Sequence, residues 1–224
     1  MSDLADRFSR VTAEVADAAR DAGRDPASIT TVVVTKFHPA SLVRELAELG
    51  VTDVGENRHQ DAGPKAAQLT DLALTWHFVG QLQSKKARGV LEYASVIHSL
   101  DRASLVTALG GERAEPVDAF IQLNLTDDPA RGGVQPAELA SLAESVLATD
   151  GVRLLGVMAV APLGEEPRAA FARVRAASDR LRELAPEATK LSMGMSGDFR
   201  EAILEGATHL RIGTAITGNR PGAG

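Results

Sequence analysis

The chain has 224 residues, 44% hydrophobic and 24% charged, enough to bury a sizeable core and typical of a soluble globular protein. Its net charge of −6, with no long basic run, speaks against nucleic acid and anionic membranes as partners. With no cysteine, disulfides, thiolate metal sites and a cysteine nucleophile are excluded, and the lack of a leader-like or membrane-length apolar run predicts a cytoplasmic protein.

Leu4, Phe8, Val11 and Val15 recur at helical spacing, which predicts an amphipathic helix over the first twenty-odd residues. Thr31–Val34 reads as a strand buried on both faces, followed almost at once by Lys36; Pro39 and Ser41 open a helix carrying Leu42, Val43, Leu46 and Leu49. Val51–Asn57 is a second strand, a helical stretch runs through Lys65 and Leu69, and Leu74–Gly80 is the third strand. A helix is expected from Gln83 to Leu91, a strand at Ser95–His98, and a helix capped by Asp101 that reaches about Glu112. The fifth strand spans Val117–Leu125, and a helix near Pro136 carries Leu139, Leu142, Val146 and Leu147. Val152–Val160 is the sixth strand; the longest helix follows, with Phe171, Val174, Leu181 and Leu184 inward. Leu191–Met193, a short helix Asp198–Glu205, and His209–Ile212 complete the pattern.

Strands alternating with helices at roughly 20 to 35 residues predict one domain over residues 1–224, a (β/α)₈ TIM barrel with an extra N-terminal helix. A doubly wound sheet is the alternative, but neither a G-x-G-x-x-G turn after the first strand nor a Walker sequence is present.

Barrels gather function at the carboxyl ends of their strands. Lys36 is the one obvious nucleophile there, although a strand-end lysine can also simply pack its stem and reach water. Leu191–Gly197 and Arg211–Thr214 are glycine-containing turns at the last two strands, with hydroxyls and helix starts suited to a phosphate. Lysine and phosphate cradle on one mouth imply a phosphorylated carbonyl ligand, either a sugar-phosphate aldol substrate or pyridoxal 5′-phosphate (PLP). The five histidines lack metal-ligand spacing, and His77, between Trp76 and Phe78, reads as a core or rim histidine. Lys85, Lys86 and Arg88 read as a solvated basic face.

Several segments match one family: Val34-Thr-Lys-Phe, Gly55-Glu-Asn-Arg, Trp76-His-Phe-Val-Gly-Gln-Leu-Gln83, Arg131-Gly-Gly-Val134, Gly156-Val-Met158, Leu191–Asp198 and Arg211-Ile-Gly-Thr214. The chain thereby resembles the YggS/PROSC family of PLP homeostasis proteins, whose fold is the alanine racemase N-terminal barrel. The resemblance implies that Lys36 carries PLP as a Schiff base. Ser192, the Met193 backbone, Gly213 and Thr214 would hold the phosphate; Arg211 would face the pyridine nitrogen, and Asn57 would lie beside the ring. Lys85 stands where the family commonly has asparagine, Arg131 where it has lysine and Thr217 where it has an aromatic residue.

An arginine at the ring nitrogen disfavours its protonation and so makes the ring a poorer electron sink. Racemases with this arginine use a second base, a tyrosine from a C-terminal β-domain. The one tyrosine here is Tyr93, and the chain's end at Gly224 leaves no room for that domain. The expectation is a non-catalytic protein that stores, buffers or delivers PLP, a monomer whose partners are PLP and apo PLP-dependent enzymes. The rival is a slow amino-acid racemase using Lys36 with water or His77.

Overall fold

The computed structural model describes residues 3–219. The first helix, α1 (Asp3–Asp21), buries Leu4, Val11 and Val15 along one stripe. Eight strands follow, β1 (Thr30–Val34), β2 (Asp53–Glu56), β3 (Thr75–Phe78), β4 (Val96–Leu100), β5 (Val117–Gln122), β6 (Val152–Met158), β7 (Lys190–Ser192) and β8 (His209–Ile212). Each pairs in parallel with its successor, and β8 pairs with β1 through Val33 opposite Ile212, which closes the barrel. Between strands lie α2 (Ala40–Glu48), α3 (His59–Ala67), α4 (Ala87–Val90), α5 (Ala103–Leu109), α6 (Leu139–Leu147), α7 (Pro167–Leu184) and α8 (Phe199–Leu204), and α9 (Thr214–Thr217) follows β8. The fold is the expected (β/α)₈ barrel with an additional N-terminal helix.

Alternation along each strand divides the interior in two. Val33 joins the apolar layer shared with Val43 and Leu46 of α2, whereas Val34 lines a cavity at the barrel mouth. Inside the barrel, Val96, Phe120 and Met158 form a separate apolar cluster. Helix α1 packs on α8 and α9. Arg7 Nε donates to Ile216 O at 2.8 Å, and Arg24 Nη1 to Ala207 O at 2.7 Å. The N-terminal helix therefore braces the two helices that follow the last two mouth turns.

Several local expectations are corrected. The Gln83–Leu91 segment is a 3₁₀ turn, Ser84–Lys86, followed by the single turn of α4. Asp101 does not cap α5; Arg102 occupies that position and donates to the Asp101 carboxylate. The helix ends at Leu109, short of Glu112. Leu147 and Leu184 are 53% and 40% exposed. In α7 the buried stripe runs Phe171, Val174, Ser178, Leu181 and on to Ala185, so Leu184 falls one position off it.

Candidate functional site

A cavity of about 490 Å³ opens at the carboxyl ends of β1, β2 and β8, within the range of small-molecule sites. Lys36, Asn57, Arg211, Gly213 and Thr214 line it, together with Ser196, Gly197, Val34, Val79, Gly80, Val160 and Met195. Most of the residues singled out from sequence are thus brought to one place. Ser192 and Met193 are not.

Lys36 follows β1 in a tight turn closed by the His38 N–H on Thr35 O at 3.1 Å. Phe37 takes φ 70°, a left-handed conformation that a bulky side chain rarely adopts. Lys36 is exposed, so a buried, desolvated amine is not what the structure shows. Its Nζ lies 5.9 Å from the centre of the Phe37 ring, and Arg58 Cζ lies 5.5 Å from the same ring. Thr35 is fully buried, and its Oγ1 donates to Glu56 Oε1 at 2.7 Å. Lys65 of α3 donates to the same carboxylate and, at 3.0 Å, to Thr35 O. This buried pair fixes the residue before the nucleophile.

Asn57 comes just after β2. A Cβ on Gly80 would stand 2.1 Å from Asn57 O, so only glycine allows the third mouth loop to pack against this residue. The Asn57 Oδ1 is buried with no hydrogen-bond partner among the described residues.

Beyond β7, Gly194 takes φ 93°, and an added Cβ would meet Ala202 Cβ at 2.6 Å. That reversal carries Ser196 and Gly197 to the mouth while Ser192 stays inside the barrel. Ser192 is fully buried, its Oγ held by Arg211 Nη1 at 2.6 Å and paired with His98 Nδ1 at 2.7 Å. The Met193 N–H is spent on His209 O at 3.1 Å. Of the residues that the resemblance implies for the phosphate, Ser192 Oγ and the Met193 N–H are therefore engaged within the barrel, whereas Ser196 and Gly197 line the cavity. The two residues come just before α8, the kind of position at which helix starts can hold anions. The N–H groups of Ser196, Gly197, Gly213 and Thr214 have no acceptor among the described residues.

Arg211 is 6% exposed, and besides Ser192 Oγ it reaches Ser192 O at 2.7 Å and Ala159 O at 2.9 Å. Burial draws its pKa down to about 10, with Asp198 pulling the other way, so it remains a cation at neutral pH.

His77 is buried in the barrel, bonded to His98 and to Asp53, and does not line the cavity. Tyr93 lies by the α3 helix start, stacked on His59 at 5.9 Å, its hydroxyl buried without a partner among the described residues. Burial and then Glu56 push its phenol well above the ordinary value. Of the basic residues, Arg131 lines a neighbouring pocket that shares Val160, Lys86 lines a groove with Asn57 and Arg58, and Lys85 is exposed.

A lysine, a buried guanidinium and unpaired amides around one barrel mouth are the lining expected of a barrel that binds a phosphorylated cofactor, and the comparisons give it a family. Residues 11–221 match the alanine racemase N-terminal domain family. The chain is 41% identical to the "pyridoxal phosphate homeostasis protein" of Pseudomonas aeruginosa, covering 98% of this chain and 97% of that one. PipY of Synechococcus elongatus, solved with PLP bound, superposes with a TM-score of 0.81 at 36% identity, covering 95% of this chain and 99% of that one. Alanine racemase from Corynebacterium glutamicum shares the fold at TM-score 0.71 and 16% identity, matched over 96% of this chain and 62% of that one. This chain belongs to the pyridoxal phosphate homeostasis protein family, within the alanine racemase N-terminal fold.

Proposed function

We propose that this chain binds pyridoxal 5′-phosphate at the barrel mouth and serves intracellular PLP homeostasis by storing, buffering or delivering it. The observation that carries this is the cavity itself, where Lys36, Arg211, Asn57 and four unpaired amides surround a space suited to a phosphorylated aldehyde. When bound, PLP supplies an aldehyde that amines capture reversibly and a ring that withdraws electrons. Lys36 would hold it through its amine, and Ser196, Gly197, Gly213 and Thr214 would hold its phosphate. Asn57 would contact the ring, and Arg211, assigned to the ring nitrogen, would disfavour protonation there. The binding of PLP by PipY and the names of the relatives support the same ligand.

A carrier needs no second acid–base group. Among the described lining residues only Lys36 and Arg211 are ionisable, and Arg211 is fixed by three hydrogen bonds. His77, the racemase reading's other base, is turned into the barrel. We infer a non-catalytic, monomeric and cytoplasmic protein that passes PLP to apo-enzymes; among the described residues no helix is long and apolar enough to cross a membrane. The test is to load the purified chain with PLP, record its absorption, reduce it with borohydride and map the modified peptide. The mass increment should fall on Lys36. A chain that retains no PLP overturns the reading, and racemase turnover at ordinary enzyme rates, lost in Lys36→Ala, overturns the non-catalytic role.

A further inference from the structure

A file of polar groups crosses the barrel interior from the amino end of β2 to the carboxyl end of β7. Asp53 Oδ1 lies 2.9 Å from His77 Nε2, His77 Nδ1 lies 2.8 Å from His98 Nε2, and His98 Nδ1 lies 2.7 Å from Ser192 Oγ. Arg211 Nη1 closes the file, donating to Ser192 Oγ at 2.6 Å. His77 and His98 are 2% and 0% exposed, so water does not take either ring's place in it.

With neutral imidazoles, the chemistry of the ends sets the direction of every bond. Arginine only donates, and an ionised carboxylate only accepts. Ser192 Oγ accepts from Arg211, and among the described residues its own hydrogen finds an acceptor only in His98 Nδ1. His98 Nε2–H then donates to His77 Nδ1, and His77 Nε2–H to Asp53. All members are satisfied with both imidazoles neutral in the Nε2–H form. The environment agrees: burial first, then His77, Arg211 and His209, hold His98 well below the ordinary histidine value. For Asp53 the upward push of burial is outweighed by hydrogen bonds from His77 and Thr52, so it stays a carboxylate. The other charged or titratable groups facing the file are His209 on β8, Lys190 on β7 and Asp198 after β7.

We propose that Asp53, His77, His98 and Ser192 are positioning residues that hold the Arg211 guanidinium in place for the ring of bound PLP, through a hydrogen-bond file running one way from Arg211 to Asp53. The assignment rests on the PLP reading above. A second proton on His77 would reverse the file. His98 would then donate from Nδ1, Ser192 Oγ would face two donors, and its hydrogen would have no acceptor among the described residues. The seat of Arg211 would loosen from the opposite end of the barrel.

Two measurements on the full chain decide this. Long-range ¹H–¹⁵N spectra of the ¹⁵N-histidine protein, without cofactor, should show His77 and His98 as neutral Nε2–H tautomers at neutral pH; an Nδ1–H tautomer or an imidazolium at His98 overturns the file. With PLP added, the pH midpoint of the bound cofactor's absorption band should move by about half a unit or more in Ser192→Ala and return towards wild type in Ser192→Thr. A Ser192→Ala protein that binds PLP with an unmoved midpoint overturns the positioning role. Wild-type protein that takes up no PLP overturns the cofactor reading instead, while the tautomers still decide the direction of the file.

Discussion

Lys65 and Glu56 form an ion pair that solvent barely reaches, at 6% and 0% exposure, and together they clamp Thr35 immediately before Lys36. The pair joins α3 to the ends of β1 and β2, and Glu56 Oε2 has no partner among the described residues. Removing one member strands the other charge in a low dielectric, which costs about 3–5 kcal/mol where such pairs are broken. Lys65→Met should therefore lose stability of that order in urea unfolding, and Glu56→Gln added to it should recover part of the loss. A Lys65→Met protein within about 1 kcal/mol of wild type would mean the pair behaves like an exposed one.

Ser196 distinguishes the proposed cradle from the one the family resemblance implies. It lines the cavity together with Gly213 and Thr214, whereas Ser192 is locked to Arg211. A lost hydrogen bond to a charged group is worth about 1.5–3 kcal/mol. Ser196→Ala should weaken PLP binding roughly tenfold or more, yet leave binding of pyridoxal, which has no phosphate, unchanged. Equal loss for both ligands, measured by equilibrium dialysis, would place Ser196 elsewhere.

The elements that sequence reveals are those with local punctuation. The valine run at β1, the glycine turns after β7 and β8, and Asn57 at a strand end mark the mouth, because strand ends and turns have recognisable residue chemistry. What was not legible depends on how the chain turns in space. Ser192 and Ser196 are both serines of one glycine-containing run, and only Gly194 at φ 93° separates an interior position from a mouth position. At Lys36 the sequence left open a desolvated amine or one that reaches water, and the turn at Phe37, with φ 70°, goes with an exposed side chain. Nothing in Gly-Pro-Lys65 announces a buried ion pair, since its partner lies on another element. His77 and His98 are likewise 21 residues apart and meet only because β3 and β4 are neighbours.

Buried His209 and His98 make stability depend on pH. His209 is drawn down from 6.5 to about 4, chiefly by burial and then by His77 and Lys190, and His98 is lowered as well. Between these folded values and 6.5 the unfolded chain binds more protons than the folded one. Stability is therefore fully present above about pH 6.5 and is lost as pH falls towards 4. For His209 alone the loss amounts to at most about 3 kcal/mol. Asp198 opposes the trend at the low end, because burial raises its pKa. Urea midpoints should fall between pH 7 and pH 4.5, and His209→Gln should flatten the decline. A midpoint that rises on acidification over this range would contradict the assignment.

Lys36 and the proposed phosphate cradle follow different strands, so they should contribute separable parts of the affinity. Lys36 follows β1, whereas Ser196, Gly197, Gly213 and Thr214 follow β7 and β8, and Arg211 is held without any contribution from Lys36. Lys36→Ala should then abolish the borohydride-trapped adduct and leave non-covalent PLP binding weakened by roughly ten- to a hundredfold, about 1.4–2.7 kcal/mol. Because Lys36 is exposed and spans no buried gap, the substitution should shift thermal stability of the cofactor-free protein very little, within about 0.5 kcal/mol. Equilibrium dialysis with unreduced PLP, alongside a thermal melt, measures both quantities. Complete loss of PLP binding in a protein with an unchanged melt would show that the cradle does not hold the phosphate unaided and that Lys36 supplies the decisive contact.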